Sequence, residues 1–549
     1  MRQLAAISTA LPTALLAAAC ALGCDGGPGA AKEPPILTVT SPKRGLLQDH
    51  AGSIVVTGTV EPNATGEAIQ GVKVNGVDAT LAADGAFSAT ISVDEGATLI
   101  ETVARDRAGT TATDTRAVQA GTLKPVGTSI PSAVTASLSA ASFAKISTAA
   151  GPLVKGMNLG AMIAPLQPMV NAGTNCNGAK AFIDDVKFGD IKIAMSPLQG
   201  GLSFRAEIDQ LDVPAHTTYA LVCVDGRTNL RVTATKIVVA GTLSVSPNGM
   251  AGFTTKLNNP QVTVTGFHLD ASGLVGTVLD WLSLDTAIQT IIAKAAEVAM
   301  NPLMNQALGA LSGPQQLDVL GKKVTVQVAP SAVVFTPAGA ILSMTTRFLL
   351  AGSESSPGFI YTPNGAPTLD PAHGFQLGIA DDLANELLAE AHALHLLDLS
   401  MPTPGGTFDT TQVQMTLPPM ISADATDGQL RLILGDMTAT YTNAGQPVAR
   451  AAINARLDLK VAPLINGTSV ALQLGTPEIH VNVLDDLPNA SGLSADTLSR
   501  ATAASLEAQI AQISKLLVAI PVPSLAGVQI NNLSIDSDSG YVMVAGQLQ

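Results

Sequence analysis

One order of segments occurs twice along this 549-residue chain, and it constrains the fold more than any single motif. From Ser132 a helix candidate leads into alternating strands, then a long helix with one apolar stripe, then returning strands. From about Phe375 the same order recurs, without residue identity between the copies. In the first copy, Val134 to Ile146 reads as an amphipathic helix continuing brokenly to Met162. Leu202, Phe204, Ala206 and Ile208 alternate with polar residues, as do Val262 and Val264. That is the pattern of an antiparallel meander with one apolar face.

Ser272 to Leu311 is the first long helix. Leu274, Val278 and Leu282 fall at four-residue spacing, and Leu284, Ile288, Ile291, Ala295 and Val298 continue the stripe. Pro302 is predicted to kink it. In the second copy, Gly374 to Leu397 is a strand running into a helix striped by Leu383, Leu387, Ala391 and Leu394. The second long helix, about Ala495 to Val518, carries Leu498, Leu506, Ile510, Ile513 and Leu517. It ends at Pro521 and Pro523, before a short strand, a polar turn and a closing alternating strand. These stripes are aliphatic, and they are read either as ordinary core or as the lining of an apolar cavity.

Two further regions precede this body. Ile36 to Gln119 is all-β in pattern: a strand at Ile54–Val60, turns at Asn75-Gly76 and Asp84-Gly85, and strands from Phe87 and Thr98. It predicts a small sandwich. Its Val74-Asn75-Gly76, Asp84-Gly85-Ala86-Phe87 and Ala104-to-Thr110 series resembles the bacterial immunoglobulin-like modules of exported proteins, which implies a spacer or adhesion unit. The first residues, basic Arg2 then apolar Leu4 to Leu22, form an export signal rather than a membrane span. Ala21-Leu22-Gly23-Cys24 approximates a lipobox, in which Cys24 is lipidated; Ala17 to Cys20 is the competing register. Gly23 and the flexible Asp25-to-Lys32 tether favour Cys24. No later window has the ~20 uninterrupted apolar residues of a transmembrane helix.

Composition narrows the function classes. A net charge of −14 argues against nucleic acid, whose binding needs phosphate neutralised by Lys and Arg, and against electrostatic binding to anionic membranes. One Trp and four Tyr leave little for a sugar-stacking platform. Once the signal cysteines are set aside, Cys176 and Cys223 remain, and outside the cytoplasm they are expected to pair. Glu390, His392, His395 and Asp398 form the one His cluster, but the His-Glu-x-x-His pattern is missing and a packing role is expected. Asp536 to Gly540 looks like the start of a Ca²⁺ loop without its downstream Glu, and reads as a hairpin turn. The sequence shows no nucleophile elbow, phosphate loop or dinucleotide fingerprint, so neither catalysis nor a cofactor or metal is expected.

The C-terminal Leu517-to-Leu548 segment resembles the end of the bactericidal/permeability-increasing and lipopolysaccharide-binding family, the two-barrel members of the tubular lipid-binding superfamily. Gly374 to Glu386 is similar to that family's lead into its second barrel, Ile183 to Val213 to an early hairpin, and Thr265 to Met304 to the last strand and long helix of the first. The resemblance covers Ser132 to Gln549. It implies an α+β fold of two elongated antiparallel barrels, each wrapped on a long helix and joined by a central sheet, behind the N-terminal sandwich. The expected divisions are a signal at 1–23, tether 24–35, sandwich 36–121, linker 122–131, first barrel 132–350, connection 351–373 and second barrel 374–549. It also implies acyl chains in an apolar tunnel, lined by Leu274, Val278, Leu282, Ile288, Leu383, Leu387, Leu506, Ile510 and Ile513. Two departures stand out. The family's cationic tip for lipopolysaccharide is not evident, and its helix-borne disulfide has no counterpart between Ser272 and Leu311. The expected protein is therefore a lipid-binding lipoprotein of a bacterial envelope, held to the outer membrane through Cys24.

Overall fold

The computed structural model describes residues 33–249, 252–271, 284–308, 313–319, 321–362, 365–403, 408–423, 430–463, 469–484, 498, 502, 506, 510, 520–521, 530–538 and 540–548. The described residues are mostly β. The N-terminal β domain has two facing sheets. One orders Ile36–Ser41, Gly52–Glu61, Ala86–Val93 and Thr80–Leu81. The other orders Leu46–Gln48, Thr111–Ala120, Gly96–Asp106, Ile69–Val74 and Val77–Asp78. Strict alternation along these strands puts Val56, Val74, Ile100 and Val118 into one core between the sheets.

The body is organised around a seven-stranded central sheet. Its order is Gly313–Val319, Lys322–Thr336, Gly339–Leu350, Ile130–Ser139, Phe375–Ala380, Tyr541–Leu548 and Ile530–Asp538. Each half of the body leaves this sheet by a strand that becomes a helix without a loop. Ile130–Ser139 runs into α1 (Ala140–Lys155), where Ser139 caps the helix by accepting from the Ser142 N–H. After α1 comes the short α2 (Leu159–Ile163). α3 (Leu284–Leu308) later returns the chain to the central sheet, with Pro302 inside it. Phe375–Ala380 runs likewise into α4 (Asp381–Ala393), whose first turn holds Asp381 and Asp382 at the positive end of the helix dipole.

Each half adds a curved antiparallel sheet. In the first half, Gly201–Leu221 and Val224–Pro247 form one hairpin of 21 and 24 residues, extended by Phe253–Thr265. In the second, Leu430–Asn443 and Gln446–Pro463 form the corresponding hairpin. One apolar core runs from α1 and the first sheet, under the central sheet, to Leu498 and Leu506. Phe143, Phe253 and Phe375 are all at most 2% exposed, and each contributes about 1.5–3 kcal/mol by leaving water.

Three segments differ from the sequence reading. Val134 to Ser139 is strand, not helix, because it is the middle of the central sheet, hydrogen-bonded to Gly339–Leu350 on one side and Phe375–Ala380 on the other. A strand covered on both faces loses the polar alternation that would have announced it. The hairpin strand Gly201–Leu221 is continuous, where the sequence reads as two strands, Gly201 to Val213 and Tyr219 to Val224. Pro214 sits where one flanking partner, Ile191–Leu198, has ended and the other, Gly178–Ile183, has not begun, so no donor is missed there. The stretch read as a linker, 122–131, contains Thr122–Lys124, which pairs with Phe359–Tyr361 inside the connecting segment.

Candidate functional site

The first half contains an apolar face that is incompletely closed. Phe253–Thr265 is the edge strand of its sheet, and α3 lies along it. At one end, α3 closes that edge with two amides one turn apart. Asn305 Oδ1 accepts from the Phe253 N–H at 2.7 Å, and its Nδ2 donates to the Phe253 carbonyl at 3.0 Å. Asn301 Oδ1 accepts from Thr255 N–H and hydroxyl at 2.6 and 2.7 Å. An Asn side chain here stands in for the missing neighbour strand. Phe253, Thr255 and Leu257 are correspondingly buried.

Beyond Leu257 no such amide clamp occurs on this strand among the described residues. Asn259 takes a positive φ of 48°, Pro260 follows, and the pairing register slips between Ala240 and Thr242. Past this bulge Val262 and Val264 pair with Val239 and Ile237, side chains pointing inward. Yet Val262 and Val264 are only half-buried, whereas Val239 is 0% and Ile237 1% exposed. Ile208 and Val232 on the hairpin, Leu153 and Met157 at the end of α1, and Ile292 on α3 are half-buried in the same way. Together they are incompletely buried aliphatic positions of the first half, packed against the edge of its core.

The second half is filled near the end of its hairpin. Tyr441 points inward from its hairpin and shares a 2.6 Å hydrogen bond with the Thr502 hydroxyl, both groups buried. The Phe408 ring packs on it with centroids 4.8 Å apart. Leu498, Thr502, Leu506 and Ile510 are helical at four-residue spacing; the first three are at most 2% exposed, and Ile510 is half-buried against the same core. Burial pushes the Tyr441 phenol up, and the Thr502 bond opposes this.

The sequence-named residues fall in several places. Cys24, Leu274, Val278, Leu282 and Ile513 lie outside the described residues. Ile288 lies on α3. Leu387 is half-buried against the main core, but Leu383 belongs to a separate cluster with Ile130, Ala133, Phe359 and Ala389. Cys176 and Cys223 form a disulfide at the end of the long hairpin. The turn there places Val222 and Cys223 at positive φ, held also by Asn177 Oδ1 accepting from the Val222 N–H. The His cluster does not converge. His392 Nε2 bonds the Met415 carbonyl, and His395 reaches Asp398 at the surface. Among the described residues no group of three His, Cys, Asp or Glu side chains could hold a metal. Asp536 pairs with Met543 within a hairpin.

Sequence reasoning named Glu390 only within the His cluster and missed the part played by Asp382 and Glu386 on α4. Asp382 accepts from the Thr362 N–H and hydroxyl, Glu386 from the Gly127 N–H at 2.7 Å, and Glu390 from the Leu350 N–H at 2.8 Å. Three incoming segments are thus stapled to one helix face. Burial pushes Asp382 up to about 6 and Glu386 up to about 8, and raises Glu390. Perturbed acids often mark catalytic sites. Here each uses an oxygen to satisfy backbone, which is a structural duty. Of the three, Asp382 alone lies in the acidic first turn of α4.

Comparison with known proteins adds limited context. The glucodextranase domain B family matches residues 35–122, the N-terminal immunoglobulin-like domain. No curated protein matches the chain. Among solved structures, a crystal structure of lipopolysaccharide binding protein aligns over 78% of this chain and 99% of that one, with 10% identity and a TM-score of 0.35. At that score the likeness is loose. No helix among the described residues is long and apolar enough to cross a membrane.

Proposed function

We propose that this chain is an exported lipoprotein that binds lipid acyl chains, and that it acts by binding rather than catalysis. The observation that carries this reading is a set of inward-facing aliphatic positions: Ile208, Val232, Val262 and Val264 remain half-buried, while Ile237 and Val239 beside them are sealed. An aliphatic surface of that kind gains about 0.8 kcal/mol for each CH₂ it takes from water. A chain of a dozen methylenes therefore needs no charged contact. The scarcity of aromatic residues, 3% of the chain, leaves a smooth lining along which a flexible chain can slide. On this reading the two curved sheets and their helices are two tubular halves joined by the central sheet. Cys24 carries the lipid anchor, and the body sits on a bacterial outer membrane, where transfer between membranes is one use of such a surface.

Native mass spectrometry of the purified protein tests this directly, with organic extraction of whatever co-purifies. Bound phospholipid or fatty acid is the expected result. A protein that emerges bare, and stays bare after incubation with palmitate, overturns it. The second reading is an envelope adhesion or scaffolding protein. It is favoured by the complete burial of Leu498, Thr502 and Leu506, which shows that at least part of the interior is filled. Cys24→Ser is expected to release the protein from the membrane fraction; release by Cys20→Ser alone would move the anchor to Cys20.

A further inference from the structure

We infer that the paired segments Thr122–Lys124 and Phe359–Tyr361 form a strap over α4, latched by Asp382, Glu386 and Glu390, and that raising the pH through neutrality opens it. The inference stands apart from the lipid-binding reading. The strap lies where the chain passes from the N-terminal domain to the central sheet. Beneath it is a small apolar cluster of Ile130, Ala133, Phe359, Leu383 and Ala389, separate from the main core. Each acid holds a different point of the strap or its roots. Asp382 accepts from the Thr362 N–H at 2.9 Å and from its hydroxyl at 3.1 Å. Glu386 accepts from the Gly127 N–H at 2.7 Å, and Glu390 from the Leu350 N–H at 2.8 Å. Leu350 turns to the helix because Ile130–Ser139 pairs with Gly339–Leu350 only as far as Thr346. A carboxyl of α4 thus stands where a neighbouring strand has ended.

These latches are built for neutral acids. All three side chains are at most 3% exposed. Glu386 Oε2 and Glu390 Oε1 are buried without a hydrogen-bond partner among the described residues. A carboxylate needs donors or water on both oxygens, so the closed strap favours the protonated form and ionisation favours letting water in. The facing groups mostly oppose charge. Glu390 lies beside Glu386 on the helix, Glu354 of the connecting segment faces Glu390, and Glu95 of the N-terminal domain faces Asp382. Tyr361 and Tyr541 also face Asp382, and Lys124 lies over the Tyr361 ring at 5.7 Å. Arg347 favours an ionised Glu386, but it is exposed and burial outweighs it. Asp382 at about 6 and Glu386 at about 8 agree with this reading. Carboxyls raised in this way hold the closed form while protonated and release it as pH climbs through those values.

Hydrogen exchange on the full-length protein at pH 6 and pH 8.5, corrected for the intrinsic pH dependence of exchange, tests the strap. Protection in residues 121–129 and 350–362 should fall about tenfold at the higher pH, while 430–463 keeps its protection. The Glu386→Gln/Glu390→Gln variant retains an acceptor oxygen at both positions and carries no charge. Its strap should stay protected at both pH values. Because a variant of buried residues can fail to fold, the unaltered protein supplies a second readout. Its anilinonaphthalene sulfonate fluorescence should rise reversibly over the same interval, as Phe359 and Leu383 meet water. Unchanged protection or flat fluorescence in the wild type overturns the inference. So does a loss that extends equally to 430–463, or the same fall in the folded variant.

Discussion

The two halves of the body share an order of segments but differ in what covers them. In the second half the Leu430–Asn443 strand is buried on both faces through Leu432 to Met437. The N-terminal domain is the cause, since it packs on the outer side of that sheet. Asp436, at a positive φ of 45°, accepts from Arg44 Nη1 at 3.0 Å, the Gly45 N–H at 2.8 Å and the Ala117 N–H at 3.0 Å. Asn454 donates to the Thr115 carbonyl, and Asn482 accepts from the Thr115 N–H and donates to the Thr113 carbonyl. Gly435 lets Ala117 approach so closely that a Cβ would lie 2.6 Å from it. The first-half hairpin has no such cover: Arg231, Thr235 and Ser246 on its outer face are exposed. The immunoglobulin-like domain is therefore a fitted wall of the second half. Its resemblance to spacer modules does not describe how it sits here. The half that is covered outside also buries a Tyr441–Thr502 pair inside; the bare half leaves Val232, Val262 and Val264 half-buried.

The largest effect is expected where the wall is fixed. Asp436→Ala leaves the Arg44 guanidinium without its buried partner and two backbone N–H groups unsatisfied. Breaking a buried pair in this way costs about 3–5 kcal/mol. Urea unfolding should show that loss, with new proteolysis between residues 121 and 129 as the domain swings free. A variant as stable and protease-resistant as the wild type would make the domain an appendage and dissolve the contrast between halves.

The disulfide offers the matching perturbation on the uncovered half. Cys176→Ser removes a crosslink closing a loop of sequence separation 47. A loss of about 2–4 kcal/mol follows from the freed chain alone. Hydrogen exchange should rise in Gly178–Ile183 and the hairpin end, and not in 430–463. Exchange that rises equally in both halves would mean that they unfold as one unit, so that the contrast is one of covering and not of stability.

Much of this organisation was legible in the sequence, for physical reasons that differ between segments. Phe375 to Ala393 was read as strand into helix because Leu383, Leu387 and Ala391 change the apolar period from two to nearly four. The paired cysteines could be matched by elimination. Val134 to Ser139 was not legible, since a central strand loses its alternation. The half-buried edge was partly legible: Val262 and Val264 showed alternation, but nothing announced that the Asn301 and Asn305 clamps hold Thr255 and Phe253 and not them. Amides acting as substitute strands recur at Gln167 on Ile183 and at Asn385 on Ile421. An Asn or Gln in sequence suggests a turn or a surface, and only folding reveals which sheet edge it completes. Asp436 and Glu386 were equally silent, because their partners lie 391 and 259 residues away.

Those distant acids give the comparison a pH axis. Glu386 is held near 8 by burial, helped by Glu390 beside it and opposed by the Gly127 N–H and Arg347. A carboxyl raised above its unfolded value of 4.5 favours the folded state while protonated. Its contribution is full below the unfolded value and is lost as pH rises toward about 8. Stability should therefore fall across that window, by a total of about 2–3 kcal/mol after relaxation of the buried charge. Glu386→Gln, neutral throughout, should flatten the decline and be the more stable form at pH 8. Since Glu386 holds Gly127, between the N-terminal domain and the central sheet, protease sensitivity near Gly127 should rise with pH in the wild type only. A wild-type melting curve unchanged from pH 5 to pH 8 would show that the staple carries no such charge.

The smallest effect separates the halves most cleanly, because the same device occurs in both. Asn305 clamps Phe253 in the first half and Asn385 clamps Ile421 in the second, each amide bonding one residue's N–H and carbonyl. Replacing either by Leu keeps the volume and leaves a backbone pair short of partners, at a cost of about 1–3 kcal/mol. The stability losses should be alike. Their effects on ligand should not be. Asn305 holds the edge strand one turn behind Asn301, so Asn305→Leu loosens the seam that borders the half-buried valines, and palmitate should enter and leave several-fold faster. Asn385 clamps the other half, so Asn385→Leu should leave those rates unchanged. Equal acceleration by both would mean that palmitate enters through general loosening of the fold. Acceleration by Asn305→Leu alone places the entrance between α3 and the edge strand, where the amide clamps give way to half-buried valines.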